Sequence, residues 1–265
     1  MYMHSIGQTG ATASTVGAAS TLVFRAVLAG AAGLAWGNRR VRLDEDAWLV
    51  LDGRESCSVR LDPELRTRLI VVVVAPDEFR AAMADAPPVD GGFADNLRPR
   101  EGPAGRRLAA IARAREAGGS EAEEREQRIA LVRETWADEL DLRRKAARID
   151  CVKRATREQL LRRILLAADF IASHHDEPIS LDEMARAASL SRFHFVRLFS
   201  LIHGETPHAF LRRKRTAVAR RHLAVGSACS EAASRAGFGS RSSLFRNLRK
   251  TALADAGPES CFRSA

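Results

Sequence analysis

Residues 191–199 read SRFHFVRLF, and residues 240–248 read SRSSLFRNL. Both stretches open on Ser-Arg, carry a second Arg a few positions on, and set large apolar residues between. An arginine presents a rigid fork of donors that matches the O6 and N7 acceptors of guanine, and an apolar side chain beside it can meet the methyl group of thymine. The pattern therefore has the chemistry of base reading, and the chain carries it twice, about fifty residues apart. The other reactive side chains do not assemble into a comparable set. His174-His175, and His203 with His208, have neither a second cluster of metal ligands nor a nucleophile with a matching base nearby. The four cysteines, Cys57, Cys151, Cys229 and Cys261, form no C-x-x-C pair, so neither zinc nor a disulfide framework is indicated. No catalytic residue, metal site or cofactor is expected.

The elements that must hold the two arginine-bearing stretches are helices. EQLLRRILLAADFIASHHDEP gives a first helix with Leu161, Ile164, Leu165, Ala168 and Ile171 on one stripe, ending before Pro178. Ser180 with Glu183 three residues on makes a capping box for a short helix that buries Leu181, Met184, Ala185 and Ala188. After a turn at Ser189-Leu190, Ser191 opens a second helix whose inner face is Phe195, Leu198, Phe199 and Ile202, spaced i, i+3, i+4, i+7. By the same period Arg192, Phe193, Val196 and Arg197 face outward. Two short helices around a tight turn form a helix-turn-helix. Thr206 and Pro207 then start a connecting helix that runs to about Val225, ahead of Gly226; its RRKR at 212–215 reads as a solvated face with some phosphate contact. The second copy follows. Ser230–Ala233 opens a short helix ending at Gly237-Phe238, and Ser240 caps a helix with Leu244 and Leu248 inward and Arg241, Ser242, Phe245 and Arg246 outward. Glu183 and Glu231 are offset by 48 positions and Arg197 and Arg246 by 49, so the second turn is one residue longer. Two reading heads on one chain can address successive major-groove segments, about 34 Å apart along the duplex.

Charge agrees with this placement. Residues 151–265 hold 20 Lys and Arg against 10 Asp and Glu, whereas residues 1–150 hold 22 against 23, so the net +9 comes wholly from the C-terminal part. A basic domain beside a neutral one suits a polyanionic partner, nucleic acid before membrane.

Residues 158–250 resemble the DNA-binding domain of AraC/XylS-type bacterial transcription regulators. The likeness is carried by ISLDEMARAASLSRFHFVRLFSLIHGETPHAFLRRKRTAVARRHL and by EAASRAGFGSRSSLFRNLRK, where that family has G-F-x-S-x-S-x-F-x-R-x-F-K-K. It implies promoter binding, usually activation through contact with RNA polymerase, and base contacts from Arg192, Phe193, Val196 and Arg197 and from Arg241, Ser242, Phe245 and Arg246; the separated cysteines fit a reducing cytoplasm. The chain departs from the family after residue 250. TALADAGPESCFR replaces the usual closing segment, Ala252 and Leu253 stand where Phe and Gly are expected, Pro258 comes late, and Leu248 takes a position that is usually Phe. A smaller second core is therefore expected.

The N-terminal half gives less. Residues 1–38 read as a poorly ordered leader rich in Ala, Ser, Thr and Gly; LVFRAVLAGAAGLAW within it is too short, and interrupted by Arg25, to span a bilayer. Residues 39–103 read as three or four strands followed, from 80, by a loop, which would be an incomplete fragment of a cupin-type sensor without a closed barrel. Residues 104–153 read as helical, with a stripe of Ile129, Val132, Trp136 and Leu140 that suits a core or a homodimer through 121–150. The expectation is an α+β chain: a small incomplete β sensor-like region, then an all-α domain at 154–265 with helix-turn-helix units at about 180–203 and 229–253 joined by a long helix. Double-stranded DNA is the expected partner, the small-molecule effector is unknown, and no membrane is involved. Two alternatives stay open, a non-specific architectural DNA binder and an enzyme fused to a DNA-binding domain.

Overall fold

A computed structural model describes residues 2–4, 11–14, 22–61, 67–87, 92–151 and 153–255. The chain divides into two compact units, residues 1–173 and 174–265.

The first unit is built on two antiparallel sheets. Its strands are β1 (Tyr2–His4), β2 (Ala11–Ser14), β3 (Leu22–Ala29), β4 (Ala31–Trp36), β5 (Arg39–Asp44), β6 (Ala47–Asp52), β7 (Cys57–Leu61), β8 (Arg68–Val74) and β9 (Arg98–Pro99). One sheet runs β1-β8-β3-β6-β9 and the other β2-β7-β4-β5. Val23, Val27, Leu49 and Val71 of the first sheet share one buried cluster with Leu34, Trp36, Leu43 and Val59 of the second. The opposite face of the first sheet, with Phe24, Trp48, Val50, Ile70 and Val72, is covered by α1 (Pro76–Met83), α2 (Pro103–Glu116) and α3 (Glu121–Ala147). The five-stranded sheet is thus buried on both faces. Its three central strands, β8, β3 and β6, read as near-continuous apolar runs with little polar alternation, as burial on both faces requires.

That double burial corrects the sequence reading of residues 1–38. The stretch taken for a leader contains β3 and β4, which belong to different sheets and turn at Gly30, where φ is 81°. Six consecutive residues of β3 are buried, so the period of two that announces a strand is hidden. Arg25, which interrupts the apolar run, lies only 1% exposed on the β3 face that points between the sheets, and burial pulls its pKa down. The β region is therefore larger than the three or four strands expected. The expected loop from residue 80 also changes: Pro76, read as a strand stop, is the first residue of α1, whose N-cap Ala75 donates its backbone N–H to Glu78 at 3.0 Å.

The stripe on α3 is spent within the chain. Val132 and Trp136 are buried and Ile129 packs against the sheet cluster. A homodimer through this helix would have to use its charged outer side. Buried ion pairs fix the register of α3: Arg128 holds Glu78 of α1 at 2.8 Å, and Glu139 accepts from Arg98 at 2.7 Å.

The helix expected to open the DNA-binding domain, α4 (Arg154–Ser173), groups with the first unit. Its inward-facing Asp169 is ion-paired to Arg39 of β5 and accepts from the Leu97 N–H at 2.9 Å, while Ser173 Oγ accepts from the Arg42 N–H at 3.0 Å. An acidic residue on an otherwise apolar stripe was the one sign that α4 meets a basic strand. Burial pushes the Asp169 pKa up to about 7, against the pull of Arg39 and of the Leu97 N–H. The folded state therefore favours the protonated acid, a contribution that is complete below the unfolded pKa near 3.8 and is lost as pH rises through about 7. Denaturant midpoints of the wild type should fall between pH 5.5 and pH 8 by more than those of Asp169→Asn, and parallel profiles would contradict this.

The second unit is all helical: α5 (Leu181–Ala187), α6 (Arg192–His203), α7 (Pro207–Ala224), α8 (Cys229–Arg235) and α9 (Arg241–Asp255). The central α7 packs against each of the other four. Pro258 and Cys261, in the segment that departs from the family pattern, lie outside the described residues.

Candidate nucleic-acid interface

Each of the two helices α6 and α9 follows a helix stop. In the first helix-turn-helix the N–H of Leu190 bonds to Ala185 O and that of Ser189 to Arg186 O; in the second helix-turn-helix, the N–H of Phe238 bonds to Ala233 O and that of Gly237 to Ser234 O. These are the paired bonds of a left-handed helix stop with an apolar residue following. Ser189 (φ 51°) and Gly237 (φ 77°) occupy the same place, 48 residues apart. The extra residue of the second turn thus falls after the stop and before α9. The capping box of α5 is present, with Ser180 Oγ accepting from the Glu183 N–H at 3.3 Å and Glu183 accepting from the Ser180 N–H at 2.8 Å. Ser240 caps α9 by accepting from the Ser243 N–H at 3.1 Å, whereas Ser191 holds the N-cap position of α6 without a side-chain hydrogen bond.

Packing then orients the two helices. Phe195, Leu198, Phe199 and Ile202 of α6 are buried, and Phe199 meets Phe210 of α7 edge-on at 5.5 Å. His203, once a candidate ligand, stacks on Phe199 at 4.3 Å. The second core is built from small residues, Ala232, Ala233 and Ala236, with Val218, Phe238 and Leu244, and Leu248 partly buried beside them.

The outward faces carry the residues expected there. Phe193 is 82% exposed and Phe245 48%; Arg192, Arg197, Arg241, Ser242 and Arg246 are exposed, and Val196 is half-buried. Arg192 differs from the other arginines in being clamped: both oxygens of Asp182 accept from its Nε and Nη2. The pair holds the Asp182 carboxyl below its ordinary range and the Arg192 guanidinium above it. Arg197, Arg241 and Arg246 have no such clamp among the described residues. The signal in the sequence was an acid two residues after the Ser180 cap, one helix upstream of Arg192. Replacing it by Asp182→Asn should raise affinity for random DNA more than for the specific site, because a negative charge leaves the interface and Arg192 loses its fixed aim. Titration of both duplexes checks this, and an unchanged ratio of affinities would count against the clamp.

RRKR at 212–215 is not one solvated face. Arg212 is exposed, but Lys214 is buried. Arg213 pairs with Glu205 at 2.8 Å and lies over the Phe210 ring at 5.0 Å. Arg215 donates to the carbonyls of His175 and Glu177, both at 2.6 Å. It ties the segment before α5 to α7, on which α6 and α9 pack. A basic cluster read by composition alone could not separate these roles.

Among the described residues no helix is long and apolar enough to cross a membrane, and no group of three or more His, Cys, Asp or Glu is placed to hold a metal ion.

Comparison with known proteins agrees with the geometry of the second unit. Residues 184–253 match a family model described as a helix-turn-helix domain, and this segment is a helix-turn-helix domain of the AraC type. No curated protein sequence matches the chain. Among solved structures, the chain is similar to an apo variant of ToxT from Vibrio cholerae, with 10% identity, 94% of this chain and 92% of that chain covered, and a TM-score of 0.40. It is similar also to wild-type ToxT of that organism with unsaturated fatty acid bound, at 10% identity, 92% and 88% coverage and a TM-score of 0.34. A third is the AraC-like transcriptional activator CuxR, at 13% identity, 82% and 72% coverage and a TM-score of 0.31. The domain matched is that of DNA-binding transcription regulators.

Proposed function

We propose that this protein binds specific sites in duplex DNA by placing α6 and α9 in two successive major-groove segments, and that it activates transcription through contact with RNA polymerase, in the cytoplasm. The observation that carries the DNA reading is the repeat of one arrangement, an exposed Phe between exposed Arg residues on a helix that follows the same left-handed stop, with both helices packed on α7. Arginine forks and apolar rings together can distinguish bases, whereas charge alone cannot. The activation and polymerase parts rest on the resemblance of residues 158–250 to activators of the AraC/XylS type.

The test is a footprint with the full chain, followed by two variants. Protection should cover two adjacent major-groove segments on one face of the duplex in an asymmetric site. Arg197→Ala should cost about 1–3 kcal/mol on that site and relax preference at one base position. Arg212→Ala, an exposed arginine of α7, should weaken specific and random DNA alike. Equal losses on both DNAs for Arg197→Ala would make the protein an architectural binder instead.

A further inference from the structure

Three residues of the first helix-turn-helix form a unit that the second lacks. Both carboxylate oxygens of Asp182 accept from Nε and Nη2 of Arg192. Those bonds occupy the side edge of the guanidinium and leave its outer edge, Nη1 with the second N–H of Nη2, as a fork of donors. Arg192 and Phe193 are the first two residues of α6, the end of a recognition helix that reaches base edges. Phe193 is 82% exposed, more than any other large apolar side chain among the described residues. Arg197 stands four residues on, on the same side of the helix. In the second helix-turn-helix the counterparts of Asp182, Arg192 and Phe193 are Ser230, Arg241 and Ser242. A clamped arginine beside an exposed ring therefore belongs to α6 and not to α9.

Each member of the unit limits what can be read. A fork of donors matches guanine, which offers O6 and N7 as acceptors, and fails on adenine, whose N6 is itself a donor. The bidentate bond to Asp182 stops the arginine from swinging to a phosphate, so its outer edge is committed to a base. A phenyl ring makes no such hydrogen bond, and the apolar group that a base pair presents in the major groove is the 5-methyl of a pyrimidine. Thymine carries that methyl as it stands, and cytosine carries it once methylated at C5. Ring and fork leave adjacent residues of one helical turn, so the methyl and the guanine must belong to neighbouring bases.

We infer, on the reading above that α6 lies in the major groove of a specific site, that Arg192 and Phe193 together recognise a guanine next to a 5-methylpyrimidine, thymine or 5-methylcytosine. Methylation of cytosine at that step raises affinity, so the modification state of the DNA adjusts occupancy of the site.

Fluorescence anisotropy of the full chain on duplexes that carry its preferred site, obtained by selection from random unmodified duplexes, tests this. Arg192→Ala identifies the guanine as the position whose preference it relaxes. The pyrimidine beside that guanine is then set to thymine, uracil, cytosine or 5-methylcytosine. Thymine should bind about fourfold more tightly than uracil, and 5-methylcytosine about fourfold more tightly than cytosine, the worth of burying one methyl group. In Phe193→Ala both differences should vanish while the preference for guanine remains. The side chain removed is mostly exposed, so this variant keeps the fold. The inference is overturned by a guanine with no thymine beside it in the selected site, by thymine and uracil that bind alike, or by a difference that Phe193→Ala leaves intact. In each of these cases a preferred site still exists. A chain that selects no site overturns the specific-binding reading, and this inference with it.

Discussion

Gly237→Ala is expected to destabilise the second unit by about 2–5 kcal/mol, adding roughly 1–2 for a left-handed residue with a Cβ and 1–3 for overpacking. A methyl group at this position would lie 2.8 Å from Asp176 Cα and closer still to the His175 carbonyl oxygen. Both are backbone atoms in a segment that Arg215 pins to α7, so neither can give way cheaply. The second core has little to offset the loss, being mostly alanine around Phe238 and Leu244. Thermal unfolding of the variant should show the fall, and hydrogen exchange should place it in α8 and α9, with α6 little affected. Specific DNA binding should fall with it, because α9 loses its seat. Ser189 provides the internal control. It occupies the same stop with φ 51°, and Ser189→Gly should be neutral or stabilising by up to about 1 kcal/mol, since glycine relieves a left-handed residue of its side chain. A Gly237→Ala protein as stable as the wild type would mean that the 174–180 segment can move away from the turn.

Glu139→Ala should destabilise the first unit by about 3–5 kcal/mol, the range seen when one partner of a buried ion pair is removed. Glu139 is fully buried and holds Arg98 at 2.7 Å, Arg143 at 3.1 Å and the N–H of Ala94 at 3.1 Å. Its removal leaves Arg98, itself 7% exposed, with the carbonyl of Ala94 at 3.2 Å but no carboxylate. Because Arg98 sits in β9 at the edge of the five-stranded sheet and Glu139 in α3, the damage should spread to the contact of that edge with the helix. Urea denaturation of the full chain would show the loss in the transition of the first unit. The double variant Arg98→Met with Glu139→Leu should recover most of it, since two apolar side chains avoid the cost of an unpaired buried charge. A single variant that loses less than about 1 kcal/mol would show that water reaches Arg98.

The two halves of the chain differ in how much their sequences disclose. The second unit is legible because its determinants are local. Ser180 and Glu183 cap one another, Phe195, Leu198, Phe199 and Ile202 repeat at helical spacing, and the left-handed stops sit 48 residues apart, so helices, turns and outward faces can be placed from neighbours in sequence. The sequence alone therefore determined the duplicated helix-turn-helix and the two exposed Phe and Arg faces. It could not show that Asp182 clamps Arg192, or that Lys214 is buried and Arg215 bonds to the carbonyls of His175 and Glu177 while Arg212 is exposed, because these depend on which segments lie across from them. In the first unit nearly everything was decided by tertiary structure. A sheet covered on both faces erases the alternation that marks a strand, so β3, with six consecutive buried residues, read as part of a leader. Strand partners far apart in sequence, such as Val23 with Leu51 and Val73, set the sandwich. Phe79, Phe93 and Trp136 meet edge to face only once α1, the segment after residue 92 and α3 are brought together by packing, a proximity that no local period or spacing records.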